Sequence, residues 1–362
     1  MIDTKQETMS SPPPAPLMTI ELDTTQKHAL TAAIDDCQYT NPVADPDAYV
    51  LEAQLLSDHM PRYLRAALLD LRAKGSTAGG LLIRNVPLGN VPATPEHADL
   101  GTGTMLSAAK ALSVLVAPLG EQFGFKPELG GQIIQDILPV AGFEETQQSI
   151  SSTSLLEMHC ETAFTDTRAD FIALLCLRAD PEHPAATLLS PVSDVLARLD
   201  HDTCKALRQS RFATTVDGSF LRGSGIPGPL YVQPIRVLTG SEDTPRLRCD
   251  FAETIGLDSD SQSALDRLHQ AASEAARRIY LEPGDLLIVD NHGSFHGRSP
   301  FPRRGDGRDR WLLRAFIARD LARSAANRPG NGRIVEIDYS GLAGPGVTTG
   351  APGIAHSSTE EN

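Results

Sequence analysis

The chain has 362 residues, 41% hydrophobic and 22% charged, ample for a large buried core and typical of the globular class. Its 32 basic and 46 acidic side chains give a formal net charge of -14 spread along the chain, so it lacks the concentrated basic patch that nucleic-acid binding requires. No stretch approaches the roughly 18 uninterrupted apolar residues of a membrane helix, and the opening MIDTKQETMSSPPPAPL lacks the charged-then-apolar order of a signal peptide; a cytoplasmic protein with no membrane partner is expected.

Residues 1–17, rich in Ser, Pro and Thr, read as a disordered tail. From residue 45 to 74, Val50, Leu51, Leu55, Leu56, Leu64, Leu68 and Leu71 recur at helical spacing, and Pro61 divides the run into two helices. Further helices are expected over 103–116 and 259–278, and strands over 80–85, 171–178, 212–216, 230–232, 286–290 and 311–318. These strands are short, apolar and punctuated by Gly or Pro, as in a buried barrel or double-layered sheet. Residues 341–362, rich in Gly, Ser and Thr, read as a flexible tail, and no repeat or low-complexity linker divides residues 18–340. Cys37, Cys160, Cys176, Cys204 and Cys249 are odd in number and lack paired spacing, so reduced and mostly buried thiols are expected. The Arg222-Gly223-Ser224-Gly225 turn lacks the Lys and helix of a phosphate cradle.

Three stretches carry chemistry. In Glu157-Met158-His159-Cys160-Glu161, residues two apart on a strand share a face, so His159 and Glu161 can aim an imidazole and a carboxylate at one point. In Asp290-Asn291-His292-Gly293-Ser294-Phe295-His296-Gly297-Arg298, an apolar strand ends in turn residues and delivers a distant histidine. Two histidines and one carboxylate make the facial triad of non-haem iron(II) oxygenases, leaving three coordination positions open. Such a site takes a chelating 2-oxo acid and dioxygen. In Arg310-Trp311-Leu312-Leu313-Arg314, two arginines four apart share a strand face and need anionic partners, which a dicarboxylate would supply.

On HCETAF, RADFIALLCLRAD, Thr187, DNHGSFHGRSPF and GRDRWLLRAFI, the chain resembles the clavaminate synthase-like branch of the TauD/TfdA oxygenase superfamily over about residues 81–335. The resemblance implies a mainly β fold with flanking helices and a double-stranded β-helix (jelly-roll) core in one domain. Position by position it implies His159, Glu161 and His296 as the iron ligands and core catalytic residues. It also implies Arg310 and Thr187 on the distal carboxylate of 2-oxoglutarate, and Arg314, Glu128, Ser149 and Asp250 on substrate. The cofactors so implied are Fe(II), with 2-oxoglutarate and O2 as co-substrates; the partner implied is a small molecule, a free L-amino acid such as arginine, lysine or asparagine, hydroxylated at C3 or C4.

His296 is preferred over His292 because it precedes the Gly-Arg of the family motif, whereas His292 reads as a turn residue. Cys160 stands where relatives have Thr, pointing away from the metal. Where several cation-hydroxylating relatives have a second acid, this chain has Ala252, with Glu253 beyond. Glu161 disfavours halogenation, since halogenating relatives have a small residue there. Desaturation or cyclisation by the same cofactor, a zinc-type hydrolase built on the same histidines, and a non-catalytic binding module are the alternative readings. The amino acid, the carbon attacked and the oligomeric state are not legible in the sequence.

Overall fold

The structure, a computed structural model, describes residues 15–37, 41–98, 101–221, 229–337 and 347–349; residues 1–14 of the expected N-terminal tail and the Arg222–Gly225 turn lie outside them. The principal sheet runs in the order Met18–Glu21, Gly80–Arg84, Leu286–Asp290, Phe171–Arg178, Trp311–Ala318, Glu121–Phe125, Ile334–Val335, with Gln135–Ile137 also paired to Trp311–Ala318. Its central strands lack polar alternation because both faces are buried. Phe171, Ala173 and Leu175 pack outward with Leu313, Ala315 and Ile317 against the helices. Ile172, Leu174, Leu312 and Phe316 face the interior. Parity therefore sends Arg314, between Leu312 and Phe316, inward.

The outer layer is helical. Pro46–Leu56 starts on the Asp45 cap, a single turn Ser57–His59 follows, and Arg62–Lys74 begins after Pro61, as the sequence implies. Leu64 and Leu68 are fully buried, and truncating either to Ala would cost roughly 2–5 kcal/mol. Thr24–Asp35 was not anticipated, although Asp23 and Gln26 form a reciprocal capping box at its start. The helix expected over 103–116 begins at Ser107 after a short turn at Gly103–Met105.

A second antiparallel sheet, in the order Arg277–Tyr280, Ala186–Pro191, Ser294–Arg298, Leu156–His159, is backed by the helix Ser259–Ala275, whose Ala264, Leu265 and Leu268 pack with Leu188 and Phe295. That helix stops at Ala275 rather than at 278, and the next residues become the edge strand Arg277–Tyr280. A third sheet joins Thr254–Gly256, Phe212–Thr215, Leu230–Ile235 and Val347–Thr349. The last strand falls within the tail expected to be flexible, whose remaining residues lie outside those described. The chain alternates between the first two sheets: 171–178, 286–290 and 311–318 in one, 186–191 and 294–298 in the other. The five cysteines are free thiols, three of them buried. Among the described residues no helix is long and apolar enough to cross a membrane.

Candidate active site

The strands Leu156–His159 and Ser294–Arg298 pair in antiparallel register with His159 directly opposite His296. Cross-strand neighbours project from the same face, and here the imidazole centroids stand 4.2 Å apart. Glu161 lies beyond the strand end, so strand parity alone does not aim it. The chain turns at Thr162, whose φ is 49°. Asn291 clamps the turn: its Oδ1 accepts from Glu161 N at 2.7 Å and its Nδ2 donates to the Glu161 and Ala169 carbonyls. Glu161 Oε2 thereby faces His296 Nε2 at 3.4 Å and His159 Nε2 at 3.9 Å.

One potential ligand atom from each of these three residues lies within 4.8 Å of the others, the one such cluster among the described residues. His159 Nδ1 donates to the Glu157 carbonyl at 2.7 Å, leaving the Nε2 lone pair for a metal. Burial would lower the His159 pKa, but its bond to Glu161 and the charges of Asp250 and Glu161 prevail and lift it to about 9. His296 falls to about 4 through burial and the charge on His159. Glu161 resists its own burial, because Arg314 and both histidines hold its carboxyl well below the usual range. Two imidazoles and an ionised carboxylate fit a divalent iron site with open positions.

A cavity of about 400 Å³ opens from this cluster and is also lined by Thr187, Arg298, Arg310 and Arg314. Arg310 is 8% exposed, and its nearest notable partner is the Phe301 ring, 5.8 Å from its Cζ. Among the described residues no carboxylate or hydrogen bond engages its guanidinium. Burial alone depresses its pKa. The buried Thr187 hydroxyl likewise has no hydrogen-bond partner among the described residues. A cation and a hydroxyl, both buried and both unsatisfied, suit a carboxylate ligand.

Arg314 is already engaged. Its Nη1 donates to Glu161 Oε1 at 2.9 Å, its Nη2 to Glu128 Oε2 at 3.2 Å, and its Nε and Nη2 to Gln135 Oε1 at 2.9 and 2.6 Å. Glu128 rises to about 7 because its burial outweighs the Arg314 charge. Ser149 lines another wall of the cavity. Asp250, Ala252, Glu253 and Asp217 also line it. Glu253 accepts from the Thr215 hydroxyl; burial and the charges of Asp250 and Asp217 push it up to about 7. Burial raises Asp250 as well.

His292 is not part of the cluster. Its Nε2 lies 3.2 Å from Asp170 and its Nδ1 accepts from Arg168 at 2.7 Å, a separate buried network. Cys160 packs with Leu247 and Phe295, away from the cavity lining. Sequence reasoning missed Arg298, Asp217 and Gln135. Arg298 had a signal, since it lies two residues after His296 on one strand and shares its face; Asp217 and Gln135 had none.

Residues 61–316 match the family model described as Taurine catabolism dioxygenase TauD, TfdA family. Among similar proteins, the L-asparagine oxygenase of Streptomyces coelicolor is 37% identical over 299 residues, covering 80% of this chain and 86% of that protein. The L-lysine 3-hydroxylase of Catenulispora acidiphila is 33% identical over 323 residues, covering 88% and 85%. The crystal structure of asparagine oxygenase with Fe(II), 2S,3S-3-hydroxyasparagine and succinate is similar at a TM-score of 0.82 and 34% identity, over 88% of this chain and 99% of that one. The non-haem iron oxygenase OrfP with Fe, succinate and (3S)-hydroxy-L-Arg follows at 0.78 and 26% identity, over 89% and 100%.

Proposed function

This chain belongs to the TauD, TfdA family of taurine catabolism dioxygenases, and from that membership we propose that it is an iron(II)- and 2-oxoglutarate-dependent dioxygenase hydroxylating C3 or C4 of a free L-amino acid. The observation that carries this reading is the meeting, in one cavity, of a two-histidine, one-carboxylate cluster with a buried arginine that no carboxylate pairs and a buried hydroxyl without a hydrogen-bond partner among the described residues. A hydrolase would need the first and has no use for the second. The alternation of strands between two sheets supports a double-stranded β-helix core, within one domain over residues 18–340.

His159, Glu161 and His296 are the proposed iron ligands, and Arg310 with Thr187 receives the distal carboxylate of 2-oxoglutarate. When bound, iron with 2-oxoglutarate and dioxygen supplies the oxidising power, yielding succinate, carbon dioxide and a substrate carrying one added oxygen. The chain's own task is to bind, orient and keep water out. Glu157 and Asn291 fix the His159 ring and the Glu161 turn, so that two Nε2 atoms and one carboxylate oxygen stay aimed at one point. Arg310 sets how deep the co-substrate sits, because a planar guanidinium accepts a carboxylate in one bidentate orientation.

Arg314 and Glu128 present opposite charges at one end of the cavity. A zwitterion replaces their mutual bond without adding net charge, its α-carboxylate going to Arg314 and its α-ammonium to Glu128, while Ser149 offers a further contact. Clamped there, an amino acid turns its β and γ carbons to the metal cluster and its side chain towards Asp250, Glu253 and Asp217. That acidic lining favours arginine, lysine or an asparagine-like amide. Relatives named for asparagine, lysine and ornithine/arginine oxidation agree in class.

A screen of the proteinogenic L-amino acids with Fe(II), 2-oxoglutarate and air tests the reading. Succinate and a product heavier by one oxygen are expected with one of these free amino acids and not with its N-acetyl or amide form. Turnover of a peptide or carrier-bound residue alone would show the charged clamp to be misassigned.

A further inference from the structure

Arg310 is not the sole cation at the proposed dicarboxylate end. Arg298 is 4% exposed, and its Cζ lies 4.9 Å from the centroid of Phe301, the ring that Arg310 also approaches. In the strand register it stands directly opposite Thr187, whose hydroxyl is unpartnered, and it lines the same cavity.

Its hydrogen bonds are all to neutral groups. Nη1 donates to the Ser151 carbonyl, Nη2 to Ser151 Oγ and the Ser154 carbonyl at 3.1 Å each, and Nε to the Ser299 carbonyl at 3.3 Å. Of the five N–H donors of a guanidinium, four are thus used and one is left. No carboxylate among the described residues pairs with it. In a chain carrying a formal charge of -14, two buried arginines share one aromatic ring, and among the described residues neither is paired with an acid. Buried charge persists where it is paired or hydrogen-bonded; here the hydrogen bonds hold the guanidinium in place and the charge awaits a counter-ion.

We infer that Arg298 is the second cation of the 2-oxo dicarboxylate site: a positioning residue, braced by Ser151 and Ser154, whose charge joins that of Arg310, beside the neutral Thr187 hydroxyl, in selecting a co-substrate with a distal carboxylate. This rests on the assignment of that site to 2-oxoglutarate. It adds a residue whose effect is electrostatic and whose place is set by the loop leading from Ser149.

The test compares two ligands that chelate alike and differ at the far end: 2-oxoglutarate and 2-oxobutyrate, which lacks the distal carboxylate. Binding to the manganese-loaded protein is followed by the fluorescence of Trp311, the single tryptophan of the chain and the neighbour of Arg310. The readout is the ratio of the two dissociation constants, in which general damage cancels. The wild type should prefer 2-oxoglutarate strongly; if it shows no preference, the underlying site assignment fails. Arg298→Gln should shrink that preference about tenfold or more, and Arg298→Lys should keep it within about threefold of wild type. If the glutamine variant does not melt cooperatively, Arg298→Met, which keeps the stem against Phe301, carries the same test. A neutral variant with the wild-type ratio overturns the inference, while the wild-type preference itself leaves the site assignment standing.

Discussion

Arg314 Nη1 donates to Glu161 Oε1 at 2.9 Å, whereas Glu161 Oε2 is the oxygen that both histidines face. The two oxygens of one carboxylate therefore have separate duties. Arg314 holds one and so leaves a single oxygen for a metal, which keeps other coordination positions free. The same guanidinium reaches Glu128, so the proposed substrate clamp and the proposed metal ligands share a side chain.

Replacing Arg314 by Lys keeps the charge and loses the fork. The Michaelis constant for the amino acid should rise about tenfold or more, with that for 2-oxoglutarate changed by less than about threefold. Steady-state kinetics varying each substrate in turn check this. Equal losses on both would place Arg314 outside the substrate clamp.

The two neighbouring histidines should separate cleanly. His296→Ala should abolish metal binding and turnover in a folded protein. His292→Ala should retain both, yet lower stability by roughly 1–3 kcal/mol, since it removes one buried partner from Asp170 and one from Arg168, which keep their bonds to Arg319, Arg323 and the Leu247 carbonyl. Metal content by mass spectrometry and thermal melts of the two variants decide it. The reverse pattern would reassign the distal ligand.

Arg310→Lys should raise the 2-oxoglutarate requirement about tenfold or more, from a loss of roughly 1.5–3 kcal/mol of charge-assisted bonding. The amino-acid Michaelis constant should hold. An unaltered 2-oxoglutarate constant would remove Arg310 from the role.

Glu253, at about 7, is neutral below that pH and negative above it. If it faces a cationic side chain, the Michaelis constant for lysine or arginine should fall several-fold between pH 6 and pH 8, and Glu253→Gln should flatten that profile. The stability sign runs the other way. A carboxyl whose folded pKa is raised binds more protons folded than unfolded, so the fold loses stability as pH rises from the ordinary carboxyl value of 4.5 to about 7. Glu253→Gln should therefore melt higher than wild type at pH 8. A pH profile unchanged by the substitution would take Glu253 out of substrate recognition.

Much of this site was legible in the sequence because strands carry their geometry in their spacing. Phe171–Arg178, Leu286–Asp290 and Trp311–Ala318 have the limits their apolar runs suggest, and parity alone sends Arg314 inward. What parity could not convey is pairing between distant strands. The opposition of His159 and His296, and of Thr187 and Arg298, exists only in the register. Glu161 is aimed by a turn and by Asn291, 130 residues away. Helix ends were misplaced where a strand follows at once, as at Ala275, because helical periodicity cannot register that the next residues find a sheet edge.

The most direct measurement is an anaerobic titration of the metal-free protein with Fe(II) and then 2-oxoglutarate, read by visible absorption. The account predicts a weak metal-to-ligand charge-transfer band that needs both components, saturates at one iron per chain, and is lost in His159→Ala and His296→Ala. A wild-type protein that binds iron but develops no band with 2-oxoglutarate, or a band that survives either alanine substitution, would contradict it.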